Sequence, residues 1–165
     1  MSVLVGRHGL SEANNYNNVG TLAFASEEAP LMKLGHEQAR AMGEILISRY
    51  GIIPPYTPVA SSVLRRTQQT AHSAGFVDIR TYTQLDEVNH GIDLGELRVT
   101  LDRGELPHVA IEAAETTLAN PPGEDIWISH GLRIAGLCAV LGVYQNERLI
   151  PRFCELRKLP IKSPR

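Results

Sequence analysis

Two cationic side chains and two imidazoles in this sequence have the chemistry to bind and transfer a phosphate group. They stand in three short segments, Arg7-His8, Arg66 and His130. Arginine presents a rigid fork of donors that matches phosphoryl oxygens, and an imidazole can act as a nucleophile or a proton donor. Both histidines precede a glycine, Gly9 and Gly131, which permits a sharp turn or a close backbone approach. This combination of residue types predicts a pocket for a phosphate dianion.

Each segment follows or lies close to a predicted strand. Short apolar runs predict these strands over residues 2–5, 59–61 and 125–129. In open α/β sheets ligands bind at the carboxyl ends of the strands, so we expect the three segments to converge in space. Ser61-Ser62 and Ser129-His130 also stand close to predicted helix N-termini, where free backbone N–H groups favour anions.

Helices and turns are predicted between these strands. Apolar residues at helical spacing indicate helices over residues 33–50, after the capping serines 61 and 62, from about Pro107, and over 132–141. A further strand is predicted over residues 77–82, residues 14–18 form an Asn-rich surface loop, and residues 85–106 are mixed in character. The alternation of strand and helix predicts a three-layer α/β/α sandwich with a mainly parallel central sheet. We expect residues 1–165 to form a single domain of this kind.

Composition and charge exclude several classes of partner. The chain has 165 residues, 16 basic and 18 acidic, for a net charge of −2, and it carries no basic stripe with interleaved aromatics, which argues against nucleic-acid binding. The longest apolar run, residues 134–143, is about half of a membrane span. With no signal peptide recognisable either, we expect a cytoplasmic protein with no membrane partner. Cys138 and Cys154 are too few for a metal cluster, and Cys138 stands in an apolar run typical of a buried thiol.

Five segments, in order along the chain, resemble the motifs of the histidine phosphatase superfamily, also called the phosphoglycerate mutase-like family. They are Arg7-His8-Gly9 with Ser11 and Asn14, Leu34-Gly35-His36-Glu37-Gln38-Ala39, residues 62–71 with Arg66 in the catalytic register, Leu85-Asp86-Glu87, and Ile128-Ser129-His130-Gly131. The resemblance runs from Val3 to about Gly142 and implies a phosphoglycerate mutase-like fold.

The resemblance also implies a role for each site residue. His8 would attack phosphorus and form a phosphohistidine, while Glu87 would act as general acid and then general base. Arg7, Arg66 and His130 would hold the phosphoryl oxygens and stabilise the transition state. The residues expected to bind substrate are Arg7, Ser11, Asn14, Arg66, His130 and Gly131. No metal or other cofactor is expected, because the arginines supply the positive charge.

Some assignments stay open at the level of sequence. The carboxylates that compete with Glu87 as proton donor are Asp86, Asp93 and Glu96. Arg65 would point about 100° around the helix from Arg66, so we expect it to be exposed. His90 stands close enough to Glu87 to line the pocket. The basic residues after Pro151 (Arg152, Arg157, Lys158, Lys162 and Arg165) indicate a solvated surface rather than a binding tail.

The short interval between Glu87 and His130 bears on the reaction. Mutases of the family carry long insertions that close over the site and keep water from the phosphoenzyme. A compact chain admits water, which favours hydrolysis of phosphomonoesters, with a small molecule or a phosphoprotein as substrate. The alternatives are a phosphoglycerate or sugar-phosphate mutase or phosphotransferase, and a non-catalytic module that binds a phosphorylated ligand. Oligomeric state is left open.

Overall fold

The central element of the fold is a sheet, to which the described residues contribute five strands. The computed structural model describes residues 2–19, 21–22, 26–89 and 91–162. The strands are β1 (Val3–Arg7), β2 (Val59–Ser61), β3 (Ile79–Thr81), β4 (Ile126–Ser129) and β5 (Leu156–Leu159). Their order in the sheet is β3-β2-β4-β1-β5. The first four are parallel, and β5 runs antiparallel to β1 at one edge.

Within the described residues, five α-helices flank the sheet. They are α1 (Lys33–Tyr50), α2 (Arg65–Ser73), α3 (Leu94–Asp102), α4 (His108–Ala119) and α5 (Gly131–Leu141). Short 3₁₀ turns lie at Glu12–Asn14, Tyr16–Asn18, Pro54–Tyr56 and Thr83–Leu85. None of the helices in the described ranges is long and apolar enough to cross a membrane.

Strand side chains divide the core into two apolar layers. Because successive residues of a strand point to opposite faces, Val5 and Trp127 pack with Ile134 and Leu137 of α5 on one face. On the other face, a second cluster joins Leu4, Ile126 and Ile128 to the apolar residues of α1, namely Met42 and Leu46. Helices thus cover both faces of a mainly parallel sheet, which confirms the predicted α/β/α sandwich.

Helix α1 positions the loop that follows β1. It spans the predicted residues 33–50 and ends at Gly51, whose φ is 66°. A Cβ atom on Gly9 would lie 2.4 Å from the carbonyl oxygen of Gly35 in the first turn of α1. Only glycine at this position lets the loop after β1 pack so closely on the helix, and that loop carries His8.

Four segments differ from their predictions. Helix α2 begins at Arg65 with Leu64 at its N-cap position and no side-chain cap, so the prediction that Ser61 or Ser62 caps it is wrong. Strand β3 is shorter than the predicted residues 77–82, and helix α3 lies in the mixed segment 85–106. The Asn-rich segment forms two 3₁₀ turns, one of them capped by the Asn15 side chain.

The expectation of a solvated C-terminal surface is wrong for its central residue. Strand β5 pairs with β1, and Arg157 on that strand is buried, with Nε donating to Oε1 of Glu155 at 2.8 Å. Arg152, Lys158 and Lys162 are exposed, as expected, and Arg165 lies outside the described residues. The two central residues of this four-residue strand, Arg157 and Lys158, are charged, so its apolar pattern is weak and did not predict β5.

Candidate active site

The three chemistry-bearing segments meet at the carboxyl ends of β1, β2 and β4. Strand pairing aligns Arg7 with Ser129 and Ser61 with Ile128. The connection continues past the strands, since the N–H of His8 donates to the carbonyl of Ser129 at 3.0 Å. The convergence that the sequence analysis expected is therefore observed.

The hydrogen bond that His8 makes decides which of its ring nitrogens carries a lone pair. Its Nδ1 lies 2.7 Å from the carbonyl oxygen of Gly9. A carbonyl can only accept, so Nδ1 donates and carries the hydrogen in the neutral ring, which leaves Nε2 as a nucleophile. Burial, together with the charges of Arg7 and Arg66, holds the pKa of His8 well below its ordinary value and keeps the ring neutral.

Arg7 and Arg66 bring positive charge beside His8. Nη1 of Arg7 donates to the carbonyl of Pro151 at 2.8 Å, and its Cζ lies 4.0 Å from the ring centroid of Phe153. Nη1 of Arg66 donates to the carbonyl of Ser26 at 3.2 Å. Burial lowers the pKa of Arg7 to about 10, so it is still cationic at neutral pH.

His130 faces His8 at the end of β4. The two ring centroids lie 5.1 Å apart. Nε2 of His130 lies 2.9 Å from Oγ of Ser62, and Nδ1 lies 3.9 Å from Oε2 of Glu87. Burial first, then electrostatic interaction with His8, Arg66, Arg7 and Arg133, lowers the pKa of His130 well below its ordinary value. A bound phosphate would oppose those charges and favour the protonated ring.

Unpartnered polar atoms point to an anion at this place. In the described ranges, four buried side-chain nitrogen or oxygen atoms have no hydrogen-bond partner: Nε of Arg7, Nε of Arg66, Nδ1 of His130 and Oε2 of Glu124. Three of the four belong to the cluster around His8. Buried polar groups are normally paired, because leaving one unpaired costs about 1–3 kcal/mol. A bound anion can accept from the two arginine Nε–H groups, and Nδ1 of His130 can donate to the same anion once its ring is protonated.

Glu87 is the carboxylate whose surroundings best suit a proton donor. Its side chain is 33% exposed and its Oε1 accepts from the N–H of Val88 at 2.9 Å. Burial raises the pKa of Glu87 above its ordinary value, against the opposing effects of the Val88 N–H and of Arg66 and Arg7. A raised pKa suits a general acid.

The three competing carboxylates are engaged elsewhere or exposed. Oδ1 of Asp86 accepts from Oγ of Ser62 at 2.8 Å and from the N–H of Val63 at 2.9 Å. Asp93 caps helix α3, with Oδ1 accepting from the N–H of Gly95 at 2.8 Å. Glu96 is exposed on that helix. The geometry therefore favours Glu87 over its competitors.

Ser11 and Asn14 lie in the segment after His8. Oγ of Ser11, which is buried, donates to Oδ1 of Asn14 at 2.6 Å. This bond joins the two residues to each other, and their contact with a substrate stays a prediction.

Gly131 brings the N-terminus of α5 against Arg7. A Cβ atom there would lie 2.8 Å from Cγ2 of Ile150 and 3.3 Å from Nε of Arg7. The first-turn N–H groups of α5 lack intrahelical partners and favour a nearby anion.

Three residues at the site were not predicted from the sequence to belong to it. Ser62, interpreted there as a helix cap, contacts His130, and Phe153 lies against Arg7. Arg133 is buried, with Nε donating to the carbonyl of Asp86 at 3.0 Å and Nη1 to the carbonyl of Ala113 at 2.6 Å. Arg133 is the one charged residue of the apolar helix α5, and this feature could have singled it out in the sequence. No comparable feature of the sequence marks Phe153.

The remaining candidates are placed as follows. Arg65 is exposed, as expected, and Cys138 is buried. His90 lies outside the described residues. Across the part of the chain that the structure describes, no three His, Cys, Asp or Glu side chains group as a metal ion would require.

Comparison with known proteins identifies the family. The model of the histidine phosphatase superfamily (branch 1) matches residues 3–127. The match ends before His130, so the placement of the second histidine rests on the geometry described above. No curated protein matches the chain.

Solved structures share the fold at low sequence identity. The protein TTHB049 of Thermus thermophilus is 23% identical with a TM-score of 0.67, covering 100% of this chain and 95% of its own. Rv3214 of Mycobacterium tuberculosis is 18% identical with a TM-score of 0.63, covering 99% and 92%. A mycobacterial glucosyl-3-phosphoglycerate phosphatase complexed with VO₃ is 21% identical with a TM-score of 0.59, covering 95% and 90%.

Proposed function

The chain belongs to the histidine phosphatase superfamily, and we propose that it is a metal-independent phosphatase that hydrolyses phosphomonoesters through a phosphohistidine on His8. The observation that carries the proposal is the group of unpartnered buried nitrogens, Nε of Arg7, Nε of Arg66 and Nδ1 of His130, around a histidine whose Nε2 carries a lone pair. In this role Arg7, Arg66 and His130 bind the phosphoryl oxygens.

The first step transfers the phosphoryl group to the enzyme. The lone pair on Nε2 of His8 attacks phosphorus while the bond between phosphorus and the ester oxygen breaks. The leaving oxygen takes a proton from the Glu87 carboxyl group. The carbonyl of Gly9 holds Nδ1–H of His8 and so stabilises the ring as it gains positive charge.

The second step returns the enzyme to its starting state. The Glu87 carboxylate removes a proton from water as the water oxygen attacks the phosphohistidine. The P–N bond breaks, the electron pair returns to Nε2 of His8, and inorganic phosphate leaves. The partial exposure of Glu87 supports access of water to this point.

The access of water to Glu87 also favours hydrolysis over mutase activity. A mutase must exclude water from the phosphoenzyme, whereas the side chain of the proposed proton donor here is partly exposed. We propose a phosphorylated small molecule in the cytoplasm as substrate, with a phosphoprotein as the other possibility. The mycobacterial relative described as a glucosyl-3-phosphoglycerate phosphatase supports the reaction class alone, since 21% identity carries no substrate specificity.

Hydrolysis of p-nitrophenyl phosphate in excess EDTA tests the proposal, with the wild type compared to His8→Ala. We expect activity that survives EDTA and is abolished in the variant, and an acid-labile phosphoenzyme that forms only when His8 is present. His72→Ala is the matched control, because His72 is exposed on α2. Full activity in His8→Ala, or activity removed by EDTA, would overturn the proposal.

A further inference from the structure

A chain of hydrogen bonds runs from Asp86 through Ser62 to His130. Oγ of Ser62 lies 2.8 Å from Oδ1 of Asp86 and 2.9 Å from Nε2 of His130. Ser62 and His130 are both fully buried, so the bond between them is shielded from competing water, while Asp86 is partly exposed. It approaches His130 from the side of the ring opposite the unpartnered Nδ1.

The direction of each hydrogen bond follows from the chemistry of its partners. The Asp86 carboxylate only accepts, and its Oδ1 also accepts from the N–H of Val63, so the single hydrogen on Ser62 Oγ points to Asp86. The same Oγ accepts from the N–H of Leu64 at 3.1 Å. Toward His130 it can therefore act only as an acceptor, and Nε2 of His130 must carry a hydrogen.

This assignment decides what His130 offers the phosphoryl group. With a hydrogen on Nε2, the neutral ring carries a lone pair on Nδ1, the atom on the Glu87 side. Nδ1 donates to a phosphoryl oxygen only after it gains a second proton. The imidazolium then has both N–H groups partnered, one by Ser62 and one by the substrate.

We propose that Ser62 and Asp86 are positioning residues that hold a proton on Nε2 of His130 and so stabilise its cationic form when a phosphoryl group is bound. The inference rests on the proposed function, because it assigns His130 a proton to donate in that reaction. Asp86 acts through Ser62 and touches no reacting atom. This gives the acidic residue beside Glu87 a role distinct from proton donation to the leaving group.

The charges around His130 explain why such support is required. The titratable and charged groups around His130 come from several elements. They are Arg7 at the end of β1, His8 directly after it, Arg66 on α2, Arg133 on α5, and Glu87 in the loop after the fourth 3₁₀ turn. The arginines oppose a further positive charge, and burial adds to that opposition. A hydrogen bond to Ser62, itself polarised by a carboxylate, favours the charged ring.

Ser62 and Asp86 also organise the start of α2, through the N–H groups of Leu64 and Val63. The test must separate that structural role from the positioning of His130. Ser62→Ala removes the hydroxyl, whereas Asp86→Asn keeps an Oδ1 acceptor for Val63 and removes only the charge. Ser61→Ala is the matched control, since Ser61 is equally buried and its Oγ donates to the carbonyl of Ser62 at 2.9 Å.

The direct measurement is NMR of enzyme labelled with ¹⁵N in its histidines, free and with vanadate as the probe. In the wild type we expect the His130 ring to carry its hydrogen on Nε2, and to gain a proton on Nδ1 with vanadate. In Ser62→Ala we expect loss of the fixed tautomer. An unchanged tautomer in Ser62→Ala, or a hydrogen on Nδ1 alone in the free wild type, would overturn the inference.

The kinetic measurement follows kcat and KM against pH. In Ser62→Ala we expect kcat to fall about tenfold to a hundredfold, the range for a lost hydrogen bond to a charged group. The alkaline limb of kcat should move to lower pH in Ser62→Ala and Asp86→Asn, since each change destabilises the protonated ring. Ser62→Thr, which keeps the hydroxyl, should restore the wild-type limb.

The outcomes separate this inference from the proposed function. An equal fall in kcat in Ser61→Ala, with the alkaline limb unmoved in Asp86→Asn, would mean that these residues only support α2, and the inference would fail. If Ser62→Ala does not fold, Asp86→Asn carries the same test. Wild-type activity in His8→Ala would refute the phosphohistidine reaction, while the NMR result would still decide the tautomer of His130.

Discussion

Arg157 differs from Arg7 and Arg66 in how completely its guanidinium group is partnered. Arg157 on β5 is fully buried, and its guanidinium contacts the Glu155 carboxylate, two backbone carbonyls and, at 3.7 Å, Sγ of Cys138. Arg7 and Arg66 each retain a buried Nε with no partner. The difference shows in their pKa values. Burial lowers all three, but Glu155 and Cys138 reverse that effect for Arg157, whose pKa is raised.

A satisfied buried cation and an unsatisfied one indicate different roles. The contacts of Arg157 connect the C-terminal strand to the loop before it, which is a structural task. The Nε–H groups of Arg7 and Arg66 have no partner within the protein, which costs stability. Such a cost is expected at a functional site where a ligand supplies the missing partner. Four variants test this comparison.

The largest effect is expected for Arg66→Ala. Loss of one preorganised donor for the transferred phosphoryl group should lower kcat/KM about 10³-fold. The free energy of unfolding should stay the same or rise slightly, because a buried charge without a full set of partners is removed. Steady-state kinetics and urea denaturation measure the two quantities. A variant that is active but unstable would place Arg66 with Arg157 as a structural cation.

Glu87→Gln removes the carboxylate whose Oε2 lies 3.9 Å from Nδ1 of His130. We expect kcat on p-nitrophenyl phosphate to fall about 10²-fold, with a larger fall for an alkyl phosphate, whose leaving group needs the proton more. Because the pKa of Glu87 is raised, its acid form persists to higher pH than that of an ordinary glutamate and is lost as pH rises through that value. Kinetics with both esters across pH provide the measurement, and equal falls for the two would argue against Glu87 as the acid.

Arg157→Ala should affect stability rather than chemistry. Removing this cation leaves Glu155 and the carbonyls of Arg148 and Leu149 without their donor, and we expect a loss of about 3 kcal/mol in the free energy of unfolding. Below the denaturation midpoint, kcat should stay within about twofold of the wild type. Lys158→Ala, an exposed neighbour on β5, is the control. A selective loss of kcat with unchanged stability would contradict the assignment.

The smallest effect is expected for Phe153→Leu. The Arg7 guanidinium lies over this ring, and a cation–π contact contributes about 0.5–2 kcal/mol. Leucine keeps an apolar surface but removes the ring, so KM should rise about threefold to tenfold with a smaller change in kcat. Competitive inhibition by vanadate should weaken in parallel. Unchanged KM and inhibition would show that the bond to Pro151 alone positions Arg7.

The sequence could predict much of the fold because its signals were local. Helix α1 was predicted with its observed bounds, since both its periodicity and the glycine that ends it are properties of a short segment. Strand β5 was missed, because Arg157 occupies a buried position that a pattern of apolar residues cannot reveal. Helix α3 was missed in the same way, with Leu97 its single buried residue and weak periodicity as the result.

The distinction between local signals and tertiary contacts applies to the site as well. Residue type and position after a strand were sufficient to select Arg7, His8, Arg66 and His130, because the carboxyl ends of parallel strands meet wherever such a sheet forms. The choice of Glu87 over Asp86 needed the structure, since adjacent carboxylates differ only in what they contact.

The sequence by itself determined the residue types of a phosphate pocket and the alternation of strands and helices that brings them to one edge of a sheet. Tertiary structure decided which donors stay unpartnered, which carboxylate faces the pocket, and that Ser62 contacts His130 instead of capping a helix. The physical reason is the separation along the chain of the residues that determine each property. Backbone conformation responds to neighbouring residues, whereas a hydrogen-bond partner or a shifted pKa depends on groups that only the folded chain brings within a few ångströms.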